Sequence, residues 1–477
     1  MVVMLSNRAD FTLDNFARVA WRRAGVALAD EALARIETSR KAFLSLLDRD
    51  PAPIIYGVTN GYGQRASRRL SGDERRAHAA RPPLSSVAAF GTPAPDRVSR
   101  GIVFCRLVNF IEGHAAVSGA LATAVARLLD GAALPPLSVE GQGGAGEIMA
   151  LAPLMVGAIG DRVLGEKEAL ALINGSPAAS ALVADAVLAM RRRLALAEQL
   201  FALSVEAFDA PLDAYDPAFA ELWGDPHEAA ALASLARWLA GAGGARRPYQ
   251  APVSYRILPR LLGQFRRALA TAEDVAATAL RAVTDNPVFL PPDAANPGGR
   301  VCSNGGYHNA ASAPAMDGLA AACAELCLIA DRHVSKLLDG RYSLLPDQLV
   351  DGDGYMGNLG MVQVGYVEAA RRAAQRNFLP GSEGGGFGQN DVAPASFPAW
   401  RSQEEAGACL EATLTNLAIV ASQALQVTGR PPPPALAPLL AEIRRHFPPL
   451  SRQRALAEDA GRLREAFRAG IYAAGEA

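Results

Sequence analysis

Apolar residues recur along most of this chain at spacings that fit one face of a helix. Between residues 98 and 129 they follow one another at intervals of two to seven positions, and residues 178–205 continue the pattern without a glycine or proline. Similar patterns predict long helices over residues 256–283, 310–338, 361–378 and 403–427. The chain is therefore predicted to be mainly α, a bundle of long helices whose inner positions are buried on more than one side.

Short segments rich in glycine, proline, asparagine and serine separate these helices, at residues 57–63, 141–146, 285–309 and 380–396. Loops on a rigid scaffold often carry chemistry, although any one of them has the simpler role of turning the chain. A proline run at 431–434 marks a further break. We predict an N-terminal region over residues 1–110, a central helical bundle over 111–430 and a C-terminal helical appendage over 431–477.

Composition narrows the class of partner. Of 477 residues 50% are hydrophobic and 20% charged, and the net charge is −1, which argues against nucleic acid or an anionic membrane as a partner. No apolar signal segment begins the chain, and no run of about 18 uncharged apolar residues is present. The five cysteines lie mostly in apolar contexts and are typical of buried thiols in a reducing compartment. We expect a soluble cytoplasmic protein that acts on a small molecule.

Five sequence blocks resemble the histidine/phenylalanine ammonia-lyase family. Residues 56–63 are similar to the family's Tyr-Gly-Val-Asn-Thr-Gly-Phe-Gly, and residues 106–118 to its Arg-Leu-Asn…Gly-His-Ser-Gly. Residues 167–176 are similar to Lys-Glu-Gly-Leu-Ala-Leu-Ile-Asn-Gly-Thr, and residues 250–256 to Gln-Asp-Pro-Tyr-Ser-Leu-Arg. Residues 284–287 repeat Thr-Asp-Asn-Pro. The blocks occur in family order, so chance explains the set poorly. The resemblance implies a long-helix bundle of the ammonia-lyase/fumarase-aspartase type, a homotetramer whose active sites each draw on three subunits, and a mobile inner lid at the glycines around Tyr56 and at 384–388.

A sixth block departs from the family. Family members carry Gly-Ser-Val-Gly-Ala-Ser-Gly-Asp-Leu-Ala-Pro-Leu, whose Ala-Ser-Gly forms the electrophile methylidene-imidazolone by losing the serine hydroxyl as water. Here residues 141–154 read Gly-Gln-Gly-Gly-Ala-Gly-Glu-Ile-Met-Ala-Leu-Ala-Pro-Leu, and no serine lies between Ser138 and Ser176. The resemblance therefore implies that the electrophile does not form, and we predict no cofactor and no metal.

Three registers against the family run remain open. In the first, residues 145–147 cover Ala-Ser-Gly, with glycine in the serine position. In the second, the serine is deleted and residues 146–148 cover Gly-Asp-Leu. In the third, an ungapped match from Pro153 places residues 147–149 over Ala-Ser-Gly. None of the three supplies the serine.

Further family positions are also substituted. By resemblance, Val253 and Ala251 replace the catalytic tyrosine and the aspartate of the Gln-Asp-Pro-Tyr block. Ser86 replaces the histidine of a Leu-Ser-His-Ala-Ala loop, and Asn390 replaces the acidic residue of Gln-Glu-Asp. Ala279 replaces a glutamate before Thr-Asp-Asn-Pro. These changes fall on catalytic groups. Ammonia elimination by the usual route is therefore not expected.

Several candidate site residues remain. Tyr56 matches the family's catalytic tyrosine and would act as base or acid if cationic neighbours lowered its pKa from about 10; otherwise it is a turn tyrosine. Arg256 matches a carboxylate clamp, or else caps a helix or forms an ion pair. Asn174 matches a family asparagine that contacts the amine and prosthetic region, or else belongs to a turn.

The remaining candidates follow from changes or matches in the other blocks. Tyr307 replaces a family phenylalanine and adds a hydroxyl to the pocket. Glu147 places a carboxyl where the electrophile would sit; it acts as general acid or base if burial raises its pKa, or caps the helix that follows it. Gln389 and Ser86 complete the predicted pocket.

Our leading hypothesis is a lyase-fold enzyme that catalyses a prosthetic-group-independent elimination, isomerisation or cyclisation on a small aromatic or polyene acid in specialised metabolism. One alternative is an ordinary ammonia-lyase or aminomutase acting on histidine, phenylalanine or tyrosine. Another is a non-catalytic binding protein or partner subunit, which would have its pocket filled by side chains such as Met149 and Phe387.

Overall fold

The protein is described here by a computed structural model that covers residues 2–49, 51–61, 65–131, 133–381 and 388–470. The predicted mainly α architecture is confirmed. Long helices span Asp30–Leu47, Asp96–Ile111, Pro177–Ala207, Leu258–Leu280, Ser312–Leu338, Asn358–Ala373 and Ser396–Thr428. The last five correspond to predicted helices, with ends that differ by up to seven residues. Helix Asp30–Leu47 was not predicted from the pattern.

The prediction of one long helix over residues 98–129 is wrong. Two helices, Asp96–Ile111 and Gly119–Arg127, take its place. Gly113 and Ala116 between them have positive φ angles of 80° and 53°, which end a right-handed helix. His114 Nδ1 lies 2.8 Å from the carbonyl oxygen of Phe289, whose N–H donates to the His114 carbonyl at 2.9 Å. A tertiary contact from a distant strand therefore determines the break.

The structure divides into two compact units, and the first comprises residues 1–187, 272–315 and 377–401. It contains two small sheets that the periodicity did not predict. Val2–Leu5 runs parallel to Gly25–Leu28, and Val288–Leu290 runs antiparallel to Arg300–Cys302, with Val288 opposite Cys302. The other helices of this unit are Leu13–Phe16, Gly72–Ala79, Ile148–Ile159 and Glu168–Ile173, with shorter turns at Arg8–Asp10, Ala17–Trp21 and Leu84–Ser86.

The second compact unit comprises residues 188–271, 316–376 and 402–477. Its shorter elements are Asp213–Tyr215, Phe219–Trp223, Pro226–Leu239, Val253–Arg256, Gly340–Ser343, Asp347–Leu349 and Pro434–Leu436. The two predicted C-terminal helices correspond to Ala437–His446 and Ala457–Ala469. The three-part division at residues 110 and 430 stays a prediction.

Within the described part of the chain, three helical stretches are long and apolar enough to cross a membrane, judged by length and composition alone. Their most apolar segments are 94%, 67% and 89% buried within the protein, in Glu168–Ala207, Ser312–Leu338 and Ser396–Thr428. Burial against neighbouring helices accounts for this composition, since a helix that is apolar all round is typical of a large core.

Candidate active site

Glu147 ends the glycine-rich loop and directly precedes helix Ile148–Ile159. Gly141, Gly144 and Gly146 have φ angles of 69°, 87° and 70°, a region that residues with a Cβ rarely adopt. The Glu147 side chain is only 5% exposed. The loop conformation thus requires glycine at these positions and ends on a buried carboxyl group.

Both carboxyl oxygens of Glu147 accept hydrogen bonds from the first turn of helix Pro177–Ala207. The N–H of Ala178 donates to Oε2 at 2.5 Å, and that of Ala179 donates to Oε1 at 2.7 Å. Helices leave their first N–H groups without internal partners, and negative charge is favoured at this end. The alternative that Glu147 caps the helix following it is wrong, because its side chain makes no capping bond there and reaches a different helix.

The pKa of Glu147 is perturbed by this environment. Burial raises the pKa to about 8, and the hydrogen bonds from Ala179 and Ala178 together with the charge of Arg106 act in the opposite direction. A carboxyl group of this kind holds its proton at neutral pH and is able to release it. The predicted condition for a general acid, burial with a raised pKa, is therefore met.

A cluster of buried charges lies beside Glu147. Arg106 is fully buried and donates through Nη1 to the carbonyl oxygen of Asn174. Its Nη2 is 4.0 Å from Asp285 Oδ1, and Lys167 Nζ donates to Asp285 Oδ2 and, at 3.0 Å, to the Ala115 carbonyl. Burial lowers the pKa of both Lys167 and Arg106, and Asp285 opposes that shift. Asp285 therefore supplies a counter-charge to both buried cations.

The sequence blocks that match the family contain Arg106, Lys167 and Asp285, but these residues were not predicted to belong to the site. A usable signal was present, since Lys167 is one of only three lysines and precedes the apolar run 169–173. A lysine there is buried at a high cost in free energy unless a carboxylate accompanies it.

Tyr307 lies against the glycine-rich loop. A Cβ placed on Gly146 would be 3.4 Å from Tyr307 Cδ2, so the ring occupies the space next to that glycine. The preceding residue, Gly306, accepts a hydrogen bond from Ser176 Oγ at 3.3 Å. Ser176 N–H in turn donates to Thr284 Oγ1 at 2.9 Å.

Asn174 is joined to the same group of loops through its backbone. It is 9% exposed and follows helix Glu168–Ile173, and its carbonyl receives the Arg106 bond. Asn174, Glu147 and Tyr307 are therefore brought together around the start of helix Pro177–Ala207.

Tyr56 occupies a tight turn in the same compact unit. Thr59 Oγ1 accepts from Ile55 N–H at 2.7 Å and donates to the Pro53 carbonyl at 2.7 Å. Gly57 has a φ of 69°, and the N–H groups of Val58, Thr59 and Asn60 all donate to the Ile55 carbonyl. The tyrosine is half-buried, and the turn that carries it is well bonded.

The other predicted pocket residues in this unit are less enclosed. Ser86 is half-buried at the end of the turn Leu84–Ser86, which packs against helix Ile148–Ile159. Gln389 is exposed. Met149 is half-buried, whereas Phe387 and most of the predicted lid at 384–388 lie outside the described residues.

Arg256 belongs to the other compact unit. It is exposed at the end of helix Val253–Arg256, and its Nε donates to the carbonyl of Ala251 at 2.9 Å. The preceding residue, Tyr255, is fully buried and stacks on His333 with ring centroids 3.7 Å apart. His333 Nε2 also lies 3.2 Å from the Ser254 carbonyl. A buried aromatic contact thus fixes the backbone that carries Arg256.

The family's prosthetic group does not fit the residues of this loop. The loop offers no serine, and Ser138 Oγ accepts a hydrogen bond from Glu140 N–H at 3.0 Å in the preceding turn. Gly146 lies beside Tyr307, and the buried Glu147 follows it in the loop.

Comparison with known proteins identifies the family. A model of the aromatic amino acid lyase family matches residues 11–164 and 159–446. Histidine ammonia-lyase from Symbiobacterium thermophilum is 28% identical over 495 aligned positions, covering 96% of this chain and 95% of its own.

Two solved structures share the fold. Ergothionase from Treponema denticola, an ergothioneine-degrading enzyme, has a TM-score of 0.87 at 16% identity, covering 99% of each chain. Tyrosine aminomutase from Streptomyces globisporus has a TM-score of 0.85 at 22% identity, covering 97% of this chain and 96% of its own. The resemblance drawn from the sequence blocks is confirmed, and this chain belongs to the aromatic amino acid lyase family.

Proposed function

We propose that the protein is an enzyme that catalyses elimination, isomerisation or cyclisation of a small aromatic or polyene acid without a methylidene-imidazolone group. The observation that carries this proposal is Glu147, a buried carboxyl with a pKa raised to about 8, in a loop that has no serine. Such a group supplies a proton to a leaving group or to a developing carbanion.

In the elimination, Tyr56 is assigned the role of the base that removes a proton from a substrate carbon. The electron pair of the broken C–H bond forms the new double bond, the bond to the leaving group breaks with its own electron pair, and Glu147 protonates the departing atom. Asn174, Tyr307, Ser86 and Gln389 are assigned polar contacts to the substrate. The assignment of Arg256 to a substrate carboxylate stays a prediction from the sequence.

The substrate must have a good leaving group or its own activation. General acid–base catalysis typically contributes about 10²–10⁴-fold, which is too little to expel an amine from an unactivated amino acid. The fold is known to accept other substrates, since the T. denticola protein degrades ergothioneine. An acid with a β-hydroxyl or other activated β-substituent fits this requirement.

A homotetramer forms part of the same proposal. Helix Asn358–Ala373 exposes Met361 and Val364, which are 76% and 53% accessible in the single chain, and large apolar side chains of this kind favour association. Multi-angle light scattering tests the stoichiometry. We further propose a cytoplasmic enzyme of specialised metabolism, which the identity of its neighbouring genes would test.

A conventional ammonia-lyase or aminomutase is the second candidate, because the S. thermophilum relative is a histidine ammonia-lyase. Incubating the full chain with histidine, phenylalanine, tyrosine and β-hydroxy aromatic acids, followed by mass spectrometry and an ammonia assay, separates the two. Conversion of a β-hydroxy acid without ammonia release supports our proposal. Ammonia release together with the near-ultraviolet absorbance of a conjugated electrophile would overturn it.

A further inference from the structure

A cavity lies within the second compact unit, which does not contain Glu147. Its volume is about 560 Å³, and it is bordered by helices Asn358–Ala373, Ser396–Thr428 and Ala457–Ala469. Small-molecule sites commonly have volumes of about 300–1,000 Å³. None of the residues assigned to the active site lines this cavity, so it requires its own explanation.

The cavity wall combines apolar, aromatic and neutral polar residues with two arginines. Tyr355, Tyr366 and Leu359 supply flat and apolar surface, and Arg454 and Arg464 supply positive charge. Among the described residues that line it, none is aspartate or glutamate. The lining is therefore complementary to a molecule with an apolar body and a negative charge.

Arg464 is the feature that defines the ligand. In helix Ala457–Ala469 the neighbouring Arg462 and Arg468 both form ion pairs with carboxylates, whereas Arg464 has no such pair within the described part of the chain. Its Nη2 donates to the Ala408 carbonyl at 2.7 Å. Its Nε is buried and lacks a hydrogen-bond partner among the described residues.

Arg454 differs, since its Nε lies 3.0 Å from Asp459 Oδ2. Arg464 is therefore the arginine of the cavity wall that has no carboxylate partner among the described residues, and the cavity is large enough for a small organic molecule. A carboxylate matches the planar guanidinium through charge-assisted hydrogen bonds.

We propose that this cavity binds an amphipathic carboxylate with an aromatic or polyene body, at a site separate from the active site. Arg464 holds the carboxylate, and Tyr366 and Leu359 contact the apolar body. The proposal does not depend on which reaction the enzyme catalyses.

Calorimetric titration of the full chain with cinnamate, and with its neutral analogue cinnamyl alcohol, tests the proposal. Arg464→Gln removes the charge, and Gly461→Phe fills the cavity. A Cβ on Gly461 meets no atom within 4 Å, and replacing a helical glycine does not disfavour the helix. The matched control is Arg452→Gln, an exposed arginine that does not line the cavity.

We expect cinnamate affinity to fall at least about tenfold in both Arg464→Gln and Gly461→Phe, to remain unchanged in Arg452→Gln, and to exceed that of cinnamyl alcohol. Unchanged melting temperatures would show that the variants fold. The absence of saturable cinnamate binding, binding that neither variant weakens, or a crystal structure with side chains of a second copy in the cavity would each overturn the proposal.

Discussion

Glu147 Oε1 accepts a hydrogen bond from the backbone N–H of Ala179 at 2.7 Å, at the start of helix Pro177–Ala207. Burial raises the pKa of the same carboxyl to about 8. One residue therefore combines a structural contact with a titratable proton. Substitutions at Glu147 are expected to affect stability and proton transfer separately.

Replacing Glu147 by glutamine tests the proton-transfer role. We expect turnover of an identified substrate to fall by about 10²–10⁴-fold, because an amide cannot supply the proton. The free energy of unfolding should fall by about 1–3 kcal/mol, since the amide NH2 is a poor partner for one of the two backbone N–H groups. Steady-state kinetics and urea unfolding measure the two effects. Glu368→Gln, an exposed carboxylate, is the control, and undiminished turnover in Glu147→Gln would remove its catalytic role.

The stability of the protein should depend on pH through Glu147. Its pKa is about 8 in the folded protein against an ordinary value of 4.5, so the folded state binds more protons than the unfolded state between these values. The resulting stabilisation is complete below pH 4.5 and is lost as pH rises through about 8. Urea unfolding across this range should show a shallower decline in Glu147→Gln than in the native chain. Identical pH profiles would contradict the raised pKa.

Removing the Tyr56 hydroxyl tests the base. In Tyr56→Phe the hydrogen bonds that Thr59 and the backbone groups make within the turn are retained. We expect kcat to fall by about 10²–10⁴-fold in a variant that still folds, as circular dichroism would show. Tyr342→Phe removes a partly exposed phenol elsewhere and should have no effect. Retained turnover in Tyr56→Phe would eliminate the role assigned to this residue.

Asp285 should be essential to the fold. In Asp285→Asn, Lys167 and Arg106 lose their buried counter-charge, and we expect the free energy of unfolding to fall by about 3–5 kcal/mol. The double variant Asp285→Leu with Lys167→Met removes the Lys167–Asp285 pair and should recover part of this loss. Urea unfolding of Asp285→Leu, Lys167→Met and their double variant measures the coupling free energy of the pair. A single variant as stable as the native chain would show that the pair contributes little.

Much of the fold was readable from the sequence because long helices carry their own signal. The apolar pattern over residues 178–205 predicted helix Pro177–Ala207 closely, since most of its positions are buried, with Arg191 and Arg192 exposed. The break after Ile111 was not predicted, because it depends on the pairing of His114 with Phe289, 175 residues further along the chain. Local periodicity contains no information about such a partner.

The sequence by itself determined the family, the absent serine and the identity of the candidate groups, since motifs in order and residue types are properties of the chain. Tertiary structure decided the environment of Glu147. Its contacts with Ala178 and Ala179, its burial and its proximity to Arg106 arise from segments that are distant in sequence. Because a pKa reflects the surrounding solvent, charges and hydrogen bonds, only the folded arrangement gives this carboxyl its raised value.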